Sequence, residues 1–173
     1  MNKVAILIDG GFYLKQLPNV RKDIDQYDPE KVATSIRQLV RGHLSKLAII
    51  QKSYLFNQAK KRRELILEPH GYAQHYRTFY YDARPLIHQT VTPISRQNID
   101  FGKSDAYRFR TDLFNELRNQ RNLALRLGET KADPNYIWKL RPKVLESLVK
   151  KEKDFSSLSD DDFQTTIRQK GVD

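Results

Sequence analysis

The stretch Lys3 to Asp9 constrains the fold most. Lys-Val-Ala-Ile-Leu-Ile-Asp has almost no polar alternation, so it does not read as a strand with one wet face. Such a run suits a strand buried on both faces of a parallel sheet. It ends in Asp9-Gly10-Gly11, a tight turn that feeds a helix bearing Phe12, Tyr13, Leu14 and Leu17. Pro18-Asn19 is expected to stop that helix.

An amphipathic helix follows. Asp28 can cap it, Pro29 suits its first turn, and Glu30 complements its dipole. Val32, Ile36, Leu39, Val40, His43, Leu44 and Leu47 then share one stripe at helical spacing. His43 on that stripe reads as a core or boundary histidine, because no second histidine stands at metal-ligand spacing. Residues 52–68 read as a basic helix or an insertion, ending at Pro69-His70-Gly71. Tyr76 to Tyr81 is rich in aromatics and threonine and predicts a strand, closed by Asp82-Ala83-Arg84-Pro85.

Downstream, Thr90 to Gly102 reads as a loop. Lys103 to Asn119 reads as a helix burying Ala106, Phe109, Leu113, Phe114 and Leu117. Asn122 to Leu127 predicts a short strand ended by Gly128. Trp138 to Leu140 is a further strand candidate and Pro142 to Lys150 a helix. Ser159 can cap a turn through Asp160, Asp161 and Asp162, which reads as a solvated capping segment before a strand stub at Ile167. Strands alternating with helices imply an α/β class with parallel strands, and 173 residues suffice for one domain. In such sheets ligands bind beyond the carboxyl ends of the strands, where Asp9 and Asp82 stand.

Composition narrows the chemistry. There are no cysteines, which excludes disulfides, thiolate metal sites and a cysteine nucleophile. The longest aliphatic run, Val4 to Ile8, is far too short to cross a bilayer, and no signal-peptide layout opens the chain. A cytoplasmic protein without a membrane partner is the expectation. The net charge of +10 favours polyanions. Lys60-Lys61-Arg62-Arg63 is the densest basic cluster, a candidate RNA-backbone contact. Arg108, Arg110, Arg118, Arg121 and Arg126 add charge beside Tyr107 and Phe109.

Asp9-Gly10-Gly11 is neither a dinucleotide fingerprint nor a Walker loop, and no nucleophile elbow supports serine catalysis. Carboxylate-bound Mg²⁺ or Mn²⁺ is an alternative, since these hard ions take oxygen ligands and activate water in nucleases of this kind. Tyr80-Tyr81 reads as packing, and Asp82 divides evenly between a site role and a turn cap.

Four segments, in order, resemble one family. Val4-Ala5-Ile6-Leu7-Ile8-Asp9-Gly10-Gly11 resembles the opening strand of NYN domains, and Phe79-Tyr80-Tyr81-Asp82-Ala83 their second strand. Leu123 to Gly128 with Trp138-Lys139-Leu140 resembles the middle of the LabA-like branch. Arg168-Gln169-Lys170-Gly171-Val172-Asp173 resembles the family's Lys-Gly-Val-Asp motif. The resemblance implies a PIN-like, Rossmann-like parallel sheet flanked by helices and a Mg²⁺- or Mn²⁺-dependent endoribonuclease. Asp9 and Asp173 would be catalytic metal ligands, with Gly10, Gly11 and Asp82 as site neighbours.

Phe12 stands where many relatives carry asparagine. The family's distal acidic strand does not occur within residues 1–173, which resemble the N-terminal two-thirds of the domain with a basic helical insertion at about 52–70. The resemblance therefore implies a longer natural chain, or a partner or second copy that completes the sheet. Two aspartates alone would hold Mg²⁺ weakly. Two other readings stay open: a catalytically inactive RNA-binding or protein-interaction module, and a DNA-directed nuclease or toxin effector.

Overall fold

Val32, Ile36 and Val40 recur at every fourth position and are all buried, so one face of their helix seals against apolar neighbours. In the computed structural model, which describes residues 3–62, 74–133 and 136–171 and the side chains of all these except 51–62 and 170, that helix is α2. The chain runs β1 (Lys3–Asp9), α1 (Gly10–Val20), α2 (Pro29–Arg62), β2 (Gln74–Ala83), β3 (Gln89–Val91) and β4 (Asn98–Asp100). Then come α3 (Asp105–Arg118), β5 (Leu123–Ala132), β6 (Trp138–Leu140), α4 (Pro142–Val149), β7 (Phe163–Thr165) and β8 (Ile167–Lys170).

The class is α/β. A four-stranded sheet has the order β1-β2-β5-β8, and β3–β4 and β6–β7 form two separate pairs. β1 and β2 are parallel, but β5 and β8 are antiparallel, so the sheet is mixed where the sequence predicts a parallel one. The cause is the connection. Parallel neighbours need a crossover of a dozen or more residues, usually a helix. Here α4 instead joins β6 to β7, which are themselves antiparallel, and β8 follows β7 after Thr166 alone.

The chain divides into two compact units, Met1–Asp82 with Asp112–Arg126, and Ala83–Thr111 with Leu127–Asp173. In the first, Ile8, Leu17, Val32, Ala33, Ile36, Val40, Tyr80, Leu113, Phe114 and Leu117 are buried. Each large side chain among them contributes roughly 1.5–3 kcal/mol by leaving water. Several polar groups in this core find partners. Ser35 Oγ donates to Val32 O at 2.7 Å, so the Tyr13 hydroxyl must be the donor in its 2.5 Å bond to Ser35. Burial pushes the Tyr13 phenol above its ordinary range. Gln120 Nε2 caps the carbonyl of Ala33 at 2.7 Å.

Several sequence expectations shift. α1 continues through Pro18 to Val20, because a proline this late removes one hydrogen bond without stopping the last turn. α2 has 34 residues and runs from Pro29 through Lys60, Lys61 and Arg62 without a break. At 1.5 Å per residue that is about 50 Å. His43 is exposed, not a core or boundary residue. The expected loop at Thr90–Gly102 contains the β3–β4 pair, whose three-residue strands are too short to show alternation. β5 passes straight through Gly128, which is buried and accepts a 3.0 Å bond from the Arg84 N–H. Ala106 is exposed rather than buried.

The second unit is held by polar ties. Trp138 Nε1 donates to Val91 O at 2.9 Å. Asp160 accepts from the Ile94 N–H at 2.8 Å and from Ser95. Asp162 is buried, forms a capping box with Ser159, and pairs with Lys153 at 2.7 Å. Asp160 and Asp162 are thus structural anchors, and of the three aspartates Asp161 alone is solvated as the sequence suggested. The Lys153 ammonium, aided by the Ser159 N–H, holds the Asp162 carboxyl below its ordinary range. A carboxyl depressed on folding stabilises the fold fully above its unfolded value, about pH 4, and this contribution disappears as pH falls through the lower folded value. Thermal melts of wild type and Asp162→Asn should therefore differ at pH 7 and converge toward pH 3. Parallel curves across that range would remove the ion pair from the account.

Candidate metal-binding aspartates at the strand ends

β1 alternates after all. Val4, Ile6 and Ile8 turn inward, while Lys3, Ala5, Leu7 and Asp9 are exposed, Leu7 by 66%. The sequence suggested burial on both faces; the structure buries one. Asp9 is both the last residue of β1 and the N-cap of α1, with an extended backbone and its Oδ1 accepting the Phe12 N–H at 2.8 Å. This is the ordinary reason an aspartate begins a helix, because it satisfies one of the unpaired first-turn donors.

Gly10 and Gly11 differ sharply. A Cβ on Gly10 would lie 2.5 Å from Tyr80 Cζ and 2.6 Å from its hydroxyl oxygen, so only glycine lets α1 start against that fully buried ring. A Cβ on Gly11 would meet nothing nearer than the Asp9 carboxylate at 3.5 Å. The sequence named both as site neighbours. Tyr80 is packing, as it read, and it packs against Gly10.

Asp82 stands at the same end of the adjacent strand, but Asp9 is in register with Tyr81. Successive residues of a strand point to opposite faces, so Asp82 points away from the face that carries Asp9. It shares the side of Thr78 and Tyr80 and is 2% exposed, already engaged by neighbouring groups. The topology brings these carboxylates to one end of adjacent strands but on opposite faces. Among the described residues, no three His, Asp or Glu side chains cluster closely enough to hold a metal. Asp173 and Arg63 lie outside the described residues. Lys60, Lys61 and Arg62 continue the α2 backbone, and their side chains are likewise outside the description.

Basic groups beside aromatic rings add to this face. The Arg126 guanidinium stacks 5.1 Å from the Phe79 ring centre, and Lys3 and Arg77 flank Tyr76 at 5.7 and 5.9 Å. Lys3 and Arg77 drew no attention in the sequence, because a register shift between Val4 and Ala5 sets their alignment with Tyr76. A bulge of this kind leaves no composition signal.

No protein family, curated protein or solved structure was found to match the chain. The case for a metal therefore stands on the donors themselves. Mg²⁺ and Mn²⁺ bind through one or two carboxylates, waters and substrate phosphates. Asp9 fits as one such ligand, being exposed with Oδ1 alone committed to the cap. Asp82 is buried, engaged by neighbouring groups and on the opposite face of the sheet from Asp9.

Proposed function

We propose that the chain is a metal-dependent ribonuclease domain of the NYN type. The observation that carries the reading is Asp9: an exposed carboxylate at the carboxyl end of a parallel strand, followed by a glycine that packing against Tyr80 requires. Asp9, with Asp173, would hold Mg²⁺ or Mn²⁺. Once bound, that ion supplies water activation and leaving-oxygen stabilisation in phosphodiester hydrolysis.

The chain's own residues do the rest. The Phe12 N–H bond locks the Asp9 carboxylate in one orientation, leaving Oδ2 toward solvent. Arg126, Arg77 and Lys3 supply positive charge on the sheet face that Asp9 shares, which suits a phosphate backbone. Phe79 and Tyr76, each beside a cation, offer rings on which bases can stack. No helix among the described residues is long and apolar enough to cross a membrane.

The test is cleavage of single-stranded RNA by the protein with Mg²⁺ or Mn²⁺, abolished by EDTA and restored by added metal. Cleavage indifferent to chelator would reject the metal. The same basic-aromatic face favours a second reading, an RNA-binding module that does not cut. Tight, salt-sensitive RNA binding without cleavage would select it.

A further inference from the structure

The second unit contains a cavity of about 300 Å³ that the cleavage chemistry does not use. Phe101, Tyr107 and Ile167 supply apolar wall, and Arg110, Thr130 and Gln169 supply polar groups. The wall is built on fixed elements. Asp100 caps the 3-10 turn that starts at Phe101 by accepting the Gly102 N–H at 3.0 Å, and the Phe101 N–H bonds His88 O at 3.0 Å. Ser104 holds the start of α3, donating to Phe101 O at 2.6 Å and accepting the Tyr107 N–H at 3.2 Å. Gln169 and Thr130 face each other across the β5–β8 pair, which places an amide and a hydroxyl side by side.

The volume sits at the lower end of ligand pockets, roughly 300–1,000 Å³, and so suits a flat ring rather than an extended molecule. Apolar aromatic walls with a few polar groups match what an unpaired base requires: a surface to stack on and partners for its edge. A glutamine amide offers a donor and an acceptor together.

We propose that this cavity receives one unpaired base of a single-stranded RNA, stacked on Tyr107 or Phe101 and read by Gln169 and Thr130. The inference rests on the ribonuclease reading and adds base preference and single-strand selection to it. Gln169 is exposed and paired through its backbone, so truncating its side chain leaves the strand intact.

The experiment measures binding of the whole protein to labelled oligo-A, oligo-C, oligo-G and oligo-U, to an RNA duplex, and to free nucleoside monophosphates, for wild type, Gln169→Ala and Tyr107→Leu. Circular dichroism checks that each variant folds. Single strands should bind better than duplex, with one homopolymer preferred. Gln169→Ala should cut that preference by about tenfold and leave the salt dependence unchanged. Binding that is equal for all four homopolymers, or preferences that survive both variants, would overturn the cavity's role while the ribonuclease reading stands. Free nucleotides binding as tightly as RNA would make it a metabolite pocket and overturn it too. No RNA binding at any salt concentration would end both.

Discussion

Asp9→Asn is expected to abolish chelator-sensitive RNA cleavage, by about a thousandfold or more, while the protein stays folded. Metal stabilisation of a developing charge is worth several kcal/mol, and each 1.4 kcal/mol is tenfold in rate. The same residue caps α1 through the Phe12 N–H. Asparagine caps about as well as aspartate, so Asp9→Asn should shift unfolding by no more than about 1 kcal/mol, the value of a charge near a helix N-terminus. Asp9→Ala loses the cap as well and should cost about 1 kcal/mol more. The pair of variants separates chemistry from structure. Asp9→Asn should be inactive and stable, Asp9→Ala inactive and less stable, with activity read as cleaved RNA and stability as a urea midpoint. An Asp9→Asn protein that cleaves at the wild-type rate would leave Asp9 as a helix cap and nothing more.

Gly10→Ala should produce the largest loss of stability from a single added methyl. The new Cβ would meet the Tyr80 ring at 2.5 Å, closer than side-chain carbons approach, and Tyr80 is fully buried with no room to retreat. Overpacking of this kind costs about 1–3 kcal/mol, against which helix propensity returns less than about 1 kcal/mol. Gly11→Ala gains the same propensity without a clash and should be neutral or stabilising by up to about 1 kcal/mol. Tyr80→Leu offers the control. In that background the ring is gone, so the penalty of Gly10→Ala should shrink by at least about 1 kcal/mol in a double-mutant cycle of urea midpoints. An equal penalty in both backgrounds would mean that the ring does not set the glycine requirement.

Sequence legibility followed periodicity. The stripe Val32, Ile36 and Val40, the helix around Leu113, Phe114 and Leu117, and the strand ending at Asp82 were readable because burial repeats at 3.6 or at 2 residues. Short elements were not. β3 and β4 have three residues each, too few for a period, and Gly128 resembles a strand end until its carbonyl is seen accepting the Arg84 N–H. At the candidate site, the position of Asp9 at a strand end and helix start could be read directly, because an aliphatic run followed by Asp-Gly-Gly permits few other geometries. The meaning of Gly10 could not, since its constraint is a ring 70 residues away in the chain.

What the sequence determined by itself is therefore local: an aliphatic first strand, an aspartate at its end, a helix begun by glycines, a strongly basic chain without cysteine. Tertiary structure alone decided which carboxylates share a face. Asp9 is the last residue of β1 and Asp82 the last but one of the parallel β2, yet a one-residue difference in register turns Asp9 to solvent and Asp82 into the interior. A strand changes face at every residue, and register is set by pairing with a distant segment, which no local reading of either strand contains.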